Sequence, residues 1–198
     1  VFMDAFLRKR TPKYFKMLCP NAKFQMLTRK ENKLDKDVII HKKEATWLGK
    51  LIEDIKLGKK PYVFYPFKSG RSAQAKRKMD KLRKRIIMTC ELQGVHIKEE
   101  EILLYHSETD GLFKTESLLD VEKYWGEAKV VIVNSSVTIG VNFVQKGVFE
   151  KIYVAYADFI MPRDVVQSVM RVRYPNTKII ELFCYPNVRE RMAEQRGE

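Results

Sequence analysis

Five short apolar runs, most of them leading through a turn into a helical pattern, constrain this chain more than any other feature. They are Tyr62–Tyr65, Ile102–Tyr105, Val130–Val133, Ile152–Ala157 and Lys178–Phe183. Tyr62–Tyr65 and Val130–Val133 are apolar throughout, as strands buried on both faces of a parallel sheet read. Between the first two runs, Ala75, Met79, Leu82, Ile86 and Cys90 recur at helical spacing. A second helix reads over roughly Thr115–Trp125 and a third over Pro162–Arg171, which opens on a first-turn proline. Strands alternating with helices predict an α/β fold with an open, mostly parallel sheet and helices on both faces. Ligands of such sheets meet the carboxyl ends of the strands, so the turns after them are the candidate sites.

The chain before Tyr62 reads as a hairpin and helix region. Val1–Phe6 is an apolar run broken by Asp4, and Thr11-Pro12 opens a helical stretch to about Leu18. Phe24–Thr28 and Val38–His41 read as two strands of a long hairpin. Glu44–Leu57 reads as a helix with Leu48, Leu51, Ile52 and Ile55 on one stripe and Gly58 as its stop. A start at Val1-Phe-Met-Asp reads as the interior of a longer chain.

Charge then narrows the partners. The 198 residues carry 38 Lys+Arg against 25 Asp+Glu, a formal charge of +13, while 45% hydrophobic content allows a real core. Residues 1–60 hold 16 basic and 7 acidic groups, and residues 61–94 hold 9 and 2. Residues 95–162 reverse the balance with 6 and 11. An excess so concentrated points to a polyanion, nucleic acid first and an anionic membrane surface second. No apolar run approaches the ~18 residues of a membrane span. Cys19, Cys90, Cys184, His41, His96 and His106 are dispersed, which excludes a disulfide framework or a metal site and suits a reducing, intracellular compartment.

Three turns carry chemistry. In the first, Lys68, Ser69, Gly70 and Arg71 precede a helix and offer hydroxyls, backbone N–H groups and charge to a phosphate. An ordinary serine-capped turn accounts for the same residues. In the second, the strand Val130–Val133 runs into Asn134, Ser135, Ser136 and Thr138, then Gly140 and Asn142. Small hydroxyl residues suit phosphate or sugar edges, and Gly140 allows close backbone approach. In the third, Gln167 and Arg171 share one helix face, with Arg173 at the helix end. Two guanidiniums there can stabilise phosphoryl charge, although a surface ion-pair role suits either alone.

In this order and spacing the chain resembles the second RecA-like domain of superfamily 2 helicases. Tyr62–Ser69 is similar to the family's motif IV, Val130–Phe143 to motif V, and Gln167–Arg173 to motif VI. Met3-Asp4-Ala5, Gly140-Val-Asn-Phe143 and the Gln-x-x-x-Arg-x-Arg form lean toward viral replication origin-binding-protein helicases. The resemblance implies residues 1–20 as the end of a preceding RecA-like domain or linker, 21–185 as the second RecA-like domain, and 186–198 as a tail. It implies ATP with magnesium, bound mainly by an N-terminal RecA-like domain of the same protein, and single-stranded DNA, with RNA as the other candidate. Arg171 and Arg173 would reach the nucleotide with Gln167 alongside, and Gly140 and Asn142 would couple the nucleotide to the strand. Lys68, Ser69, Gly70, Arg71, Ser135 and Thr138 would lie along the nucleic acid. The commoner family form has a further arginine where Tyr174 stands, and an aspartate where Asn142 stands.

The sequence holds no Gly-x-x-x-x-Gly-Lys-Ser/Thr loop and no Asp-Glu pair after an apolar strand. These 198 residues therefore read as half of an ATPase, inactive alone. The alternative is a non-catalytic basic nucleic-acid-binding domain. The helix after Arg71 carries Arg77, Lys78, Lys81, Lys84 and Arg85 on its polar face, running away from the strand ends. Charge reversal at Lys81 and Lys84 is expected to leave oligonucleotide affinity and its salt dependence unchanged in a salt titration.

Overall fold

The apolar runs become strands because each can bury both alternating sets of side chains. The computed structural model describes residues 16–18, 20, 36–67, 73–106, 109–137 and 141–185, with the backbone alone over 73–78. The chain divides into two units, Val1–Asp35 and Lys36–Glu198. Of the first unit, Lys16–Leu18 is helical and Pro20 lies in a turn. The second unit runs β1 (Asp37–His41), α1 (Glu44–Lys56), β2 (Pro61–Phe64), α2 (Ala73–Leu92), β3 (Ile102–Tyr105), α3 (Gly111–Leu119), α4 (Val121–Glu127), β4 (Val130–Val133), β5 (Lys151–Tyr156), α5 (Pro162–Val169) and β6 (Ile179–Cys184). The six strands form one sheet in the order β1-β6-β5-β2-β4-β3, with every neighbouring pair parallel.

β2 is central and fully buried. Its alternation splits the core: Val63 and Tyr65 join the side chains of α1 and α2, while Tyr62 and Phe64 join Val121, Trp125 and Val169 of α4 and α5. Burying each such side chain contributes roughly 1.5–3 kcal/mol, so the two faces of this strand anchor both layers. The expected stripes are the buried ones: Leu48, Leu51, Ile52 and Ile55 on α1, and Met79, Leu82, Ile86 and Cys90 on α2. Ala75 lies among the residues whose side chains are not described. Gly58 follows α1 with φ +76°, a left-handed conformation that ends the helix at little cost.

Two expectations are corrected. The helix expected over Thr115–Trp125 is two helices, α3 and α4. Asp120 leaves helical geometry (φ −124°, ψ 61°) and its carboxylate accepts from the Lys123 N–H at 3.3 Å, capping α4. Asp110 caps α3 in the same way, accepting from the Phe113 N–H at 2.8 Å. The helix expected over Pro162–Arg171 ends at Val169, which places Arg171 beyond it. A short parallel bridge between Phe143 and Val172 captures the chain there instead. The expected Val38–His41 strand is β1, which pairs in parallel with β6. The Phe24–Thr28 half of the expected hairpin lies outside the described residues.

Local polar contacts explain why β1 joins β6. His41 Nε2 lies 2.6 Å from Glu181 Oε2, and Trp47 Nε1 donates to the Glu181 carbonyl at 3.0 Å. The buried Glu181 thus has its carboxylate paired from the edge strand and its backbone carbonyl paired from α1. Cys90 and Cys184 are buried free thiols. Among the described residues no helix is long and apolar enough to cross a membrane.

Sequence periodicity does not mark the most demanding polar group in this core. Asp54, on α1, is fully buried, and its carboxylate accepts from the Tyr153 hydroxyl at 2.6 Å and from Lys59 Nζ at 2.9 Å, with Lys151 Nζ at 3.7 Å. Burial alone would raise its pKa. The Tyr153 and Lys59 hydrogen bonds and the lysine charges outweigh that and hold it below its ordinary 3.8. A depressed folded pKa means stabilisation that is complete above the unfolded value and lost as pH falls through the folded one. Asp54→Asn should therefore cost about 1–3 kcal/mol at pH 7. In denaturant melts the gap to the unsubstituted chain should close as pH falls below 3.8.

Candidate functional site

Sheet order sets the described segments that leave β2, β4 and β5 side by side. In space β2 lies between β5 and β4, so the segments leaving their carboxyl ends are neighbours. From β2 the chain passes through α2 to β3 on one side, and from β5 it passes through α5 to β6 on the other. The adjacent strands β2 and β5 therefore flank a topological switch point, where open α/β sheets place their ligands.

Two corners form along this edge. The first joins the ends of β2 and β4. Asn134, fully buried directly after β4, donates through Nδ2 to the Phe67 carbonyl at 2.9 Å and accepts through Oδ1 from the Ser136 N–H at 2.8 Å. One amide side chain thus fixes the turn carrying Ser135 against the segment leaving β2. Ser135 is half-buried in that turn. Lys68, Ser69, Gly70, Arg71, Thr138 and Gly140 lie outside the described residues.

α3 brings a cation to the same corner. Lys114 Nζ donates to the His106 carbonyl at 3.2 Å and to Ser136 Oγ at 3.3 Å, and burial lowers its pKa. Nothing in the pattern around Lys114 singles it out. Its placement depends on where β3 and β4 end in space.

The second corner joins the loop after β4 to the segment after α5. The Phe143 N–H donates to the Arg171 carbonyl at 2.8 Å, and the Arg173 N–H donates to the Phe143 carbonyl at 2.9 Å. Side chains reinforce this backbone clasp: Arg171 Nη1 donates to the Val141 carbonyl at 3.1 Å, and Arg173 Nε donates to Asn142 Oδ1. Asn142, Arg171 and Arg173 are thus brought together, although they come from two separate motifs. Gln167 is half-buried on α5 beside Ser168, whose carbonyl accepts from the buried Tyr62 hydroxyl at 3.1 Å. Through that bond α5 is tied to the central strand.

The electrostatics of this corner suit an anion. Arg171 is half-buried, and its Nε is buried with no hydrogen-bond partner among the described residues. Desolvation and then the Arg173 charge lower its pKa from the ordinary guanidinium range, against the effect of Tyr62. A guanidinium remains cationic at neutral pH regardless. Arg173 is exposed. Two neighbouring guanidiniums, one of them exposed, form a donor set that an anionic oxygen can meet. Among the described residues no group of three His, Cys, Asp or Glu side chains is placed to hold a metal ion.

The Asn134 brace can be tested directly. Asn134→Ala leaves the Phe67 carbonyl and Ser136 N–H without this partner and should cost about 1–3 kcal/mol in denaturant unfolding. Amide exchange at Ser136 should rise while exchange within β2 stays slow.

No family model matches this sequence, and no curated protein is similar to it. Its structure does have relatives. A structure of S. cerevisiae Dbp5 L327V bound to RNA and ADP BeF3 superposes with a TM-score of 0.58 at 13% identity, covering 96% of this chain and 47% of that one. A structure of Mycobacterium smegmatis helicase Lhr bound to ssDNA and AMP-PNP matches with a TM-score of 0.50 at 14% identity, covering 75% of this chain and 19% of that one. This chain thus spans about half of the first relative and a fifth of the second. At such identities the likeness is one of fold: an open, all-parallel α/β sheet of the RecA-like type.

Proposed function

We propose that this chain is the C-terminal motor half of an ATP-dependent nucleic-acid helicase or translocase, of the viral origin-binding type and acting inside the cell in DNA replication. The observation that carries the reading is the clasp between Val141–Phe143 and Arg171–Arg173, which holds one half-buried and one exposed guanidinium at one corner. The fold shared with structures that hold a nucleic acid and a nucleotide supports it. So does the basic excess before residue 95.

On this reading a preceding RecA-like domain of the same protein cradles ATP and magnesium, and this chain completes the site from the far side. ATP supplies the phosphoanhydride whose cleavage drives movement. Arg171 and Arg173 neutralise charge on its phosphates, with Gln167 beside them. Arg171 is held by its own backbone and side-chain bonds to the loop after β4, so it enters the site already oriented. Lys68, Ser69, Gly70, Arg71, Ser135 and Thr138 lie along a single strand of DNA. Gly140 and Asn142 sit between the two tasks. The Asn142–Arg173 hydrogen bond gives that coupling a physical form, because the loop cannot shift without changing what holds the guanidinium.

Substitution in the intact protein separates chemistry from strand binding. Arg173 is exposed, so Arg173→Ala should leave the fold intact. It should lower ATP turnover on the order of 10³-fold, as the loss of a phosphoryl-stabilising arginine does. Arg171→Ala should do the same with some loss of stability, and oligonucleotide affinity should be little changed in both. Equal losses of turnover and binding would sink the assignment. Turnover untouched in both variants would leave the basic strand-binding domain as the better account.

A further inference from the structure

The turn after β5 carries an aromatic ring where a polar residue would be expected. Ala157–Ile160 closes a tight turn, with the Ile160 N–H donating to the Ala157 carbonyl at 3.1 Å. Ala157 and Ile160 point into the core, and the tip residues Asp158 and Phe159 are exposed. Turn tips favour Gly, Asn, Asp and Ser, because a side chain there gains little from packing. Phe159 instead leaves 54% of its surface in water.

That ring is not a loose ornament. Its centroid lies 5.9 Å from the ring of Phe67, which in turn lies 5.0 Å from Tyr65 and 5.4 Å from Tyr185. Tyr185 lies 5.0 Å from Phe183, and the Tyr65 and Tyr185 hydroxyls meet at 3.1 Å. Burial pushes the Tyr65 phenol up to about 12, and burial raises Tyr185 as well, so the cluster is uncharged at neutral pH. Rings from the ends of β2 and β6 thus back Phe159 through Phe67 and leave its outer part to solvent.

The cluster is continuous with the strand-binding corner. The Phe67 carbonyl accepts from Asn134, and Asn134 precedes Ser135. A path of direct contacts therefore runs from Phe159 through Phe67 and Asn134 to the turn read as lying along the nucleic-acid backbone.

We propose that Phe159, backed by Phe67, is a stacking platform for a nucleobase of the bound single strand. The inference rests on the strand-binding reading above and adds to it: contact at this point is with a base, and independent of sequence because every base offers a π-face. Phe159 has two χ angles and a packed support, so little conformational freedom is lost when a base lands on it.

The test uses the 198-residue chain and two labelled oligothymidylates of equal length, one intact and one with abasic residues at its centre, in fluorescence anisotropy at low salt. The chain should bind the intact strand about 5- to 150-fold more tightly, the span of one base–aromatic stack. Phe159→Ala should lower intact-strand affinity to the abasic level and leave abasic-strand affinity unchanged. Phe159→Leu, which keeps the apolar bulk, should behave like Ala, and Phe159→Trp should retain the preference. Binding of both strands equally by the unsubstituted chain would overturn the platform while leaving the strand-binding reading intact. Equal weakening on both strands by Phe159→Ala would do the same. Binding of neither strand would overturn both.

Discussion

Burial of β2 on both faces is the constraint on which the rest of this fold depends. Four consecutive residues with no exposed side demand a layer above and a layer below, and parallel neighbours on both edges. Tyr62 shows how tightly these demands are joined. Its ring packs at 5.6 Å against Trp125 and 5.7 Å against Phe149, while its hydroxyl donates to the Ser168 carbonyl. A phenol buried this deeply must find an acceptor, so the central strand determines where α5 can lie.

The candidate site inherits its geometry from that arrangement. With α5 placed by Tyr62, the segment after it emerges beside the loop after β4, and the Phe143–Val172 bridge closes between them. The arginines are therefore positioned by backbone pairing rather than by their own helix. This differs from two arginines carried on one helical face. By contrast, the Asn134 brace is fully buried and satisfied at both ends, which makes the neighbouring corner rigid.

Much of the architecture was legible in the residues. The apolar runs at Tyr62, Ile102, Val130, Ile152 and Lys178 correspond to β2 through β6, and the stripes of α1 and α2 are the buried ones. The errors share a cause: periodicity reports which faces are apolar but not where a backbone bends. Asp120 interrupts a stretch whose apolar spacing continues across it, because a capping carboxylate competes with the helix for its own N–H groups. Arg171 fell outside α5 for a related reason. A β-bridge to a residue almost thirty positions earlier leaves no trace in local spacing.

The sequence by itself determined the class of fold, the uneven distribution of charge and the identity of the polar turns, because burial patterns and formal charge are properties of local residue order. Only the tertiary structure decided which turns meet. It placed Asn142 on Arg173, Lys114 on Ser136, and Phe159 on Phe67. Each pair is set by the order of strands in the sheet, and strand order depends on competing long-range pairings whose energies no single segment contains. Asp54 is the sharpest case. On the sequence it is one more charge on a helix, and in the fold it is a buried acceptor tying α1 to β5, stabilised by partners up to about a hundred residues away.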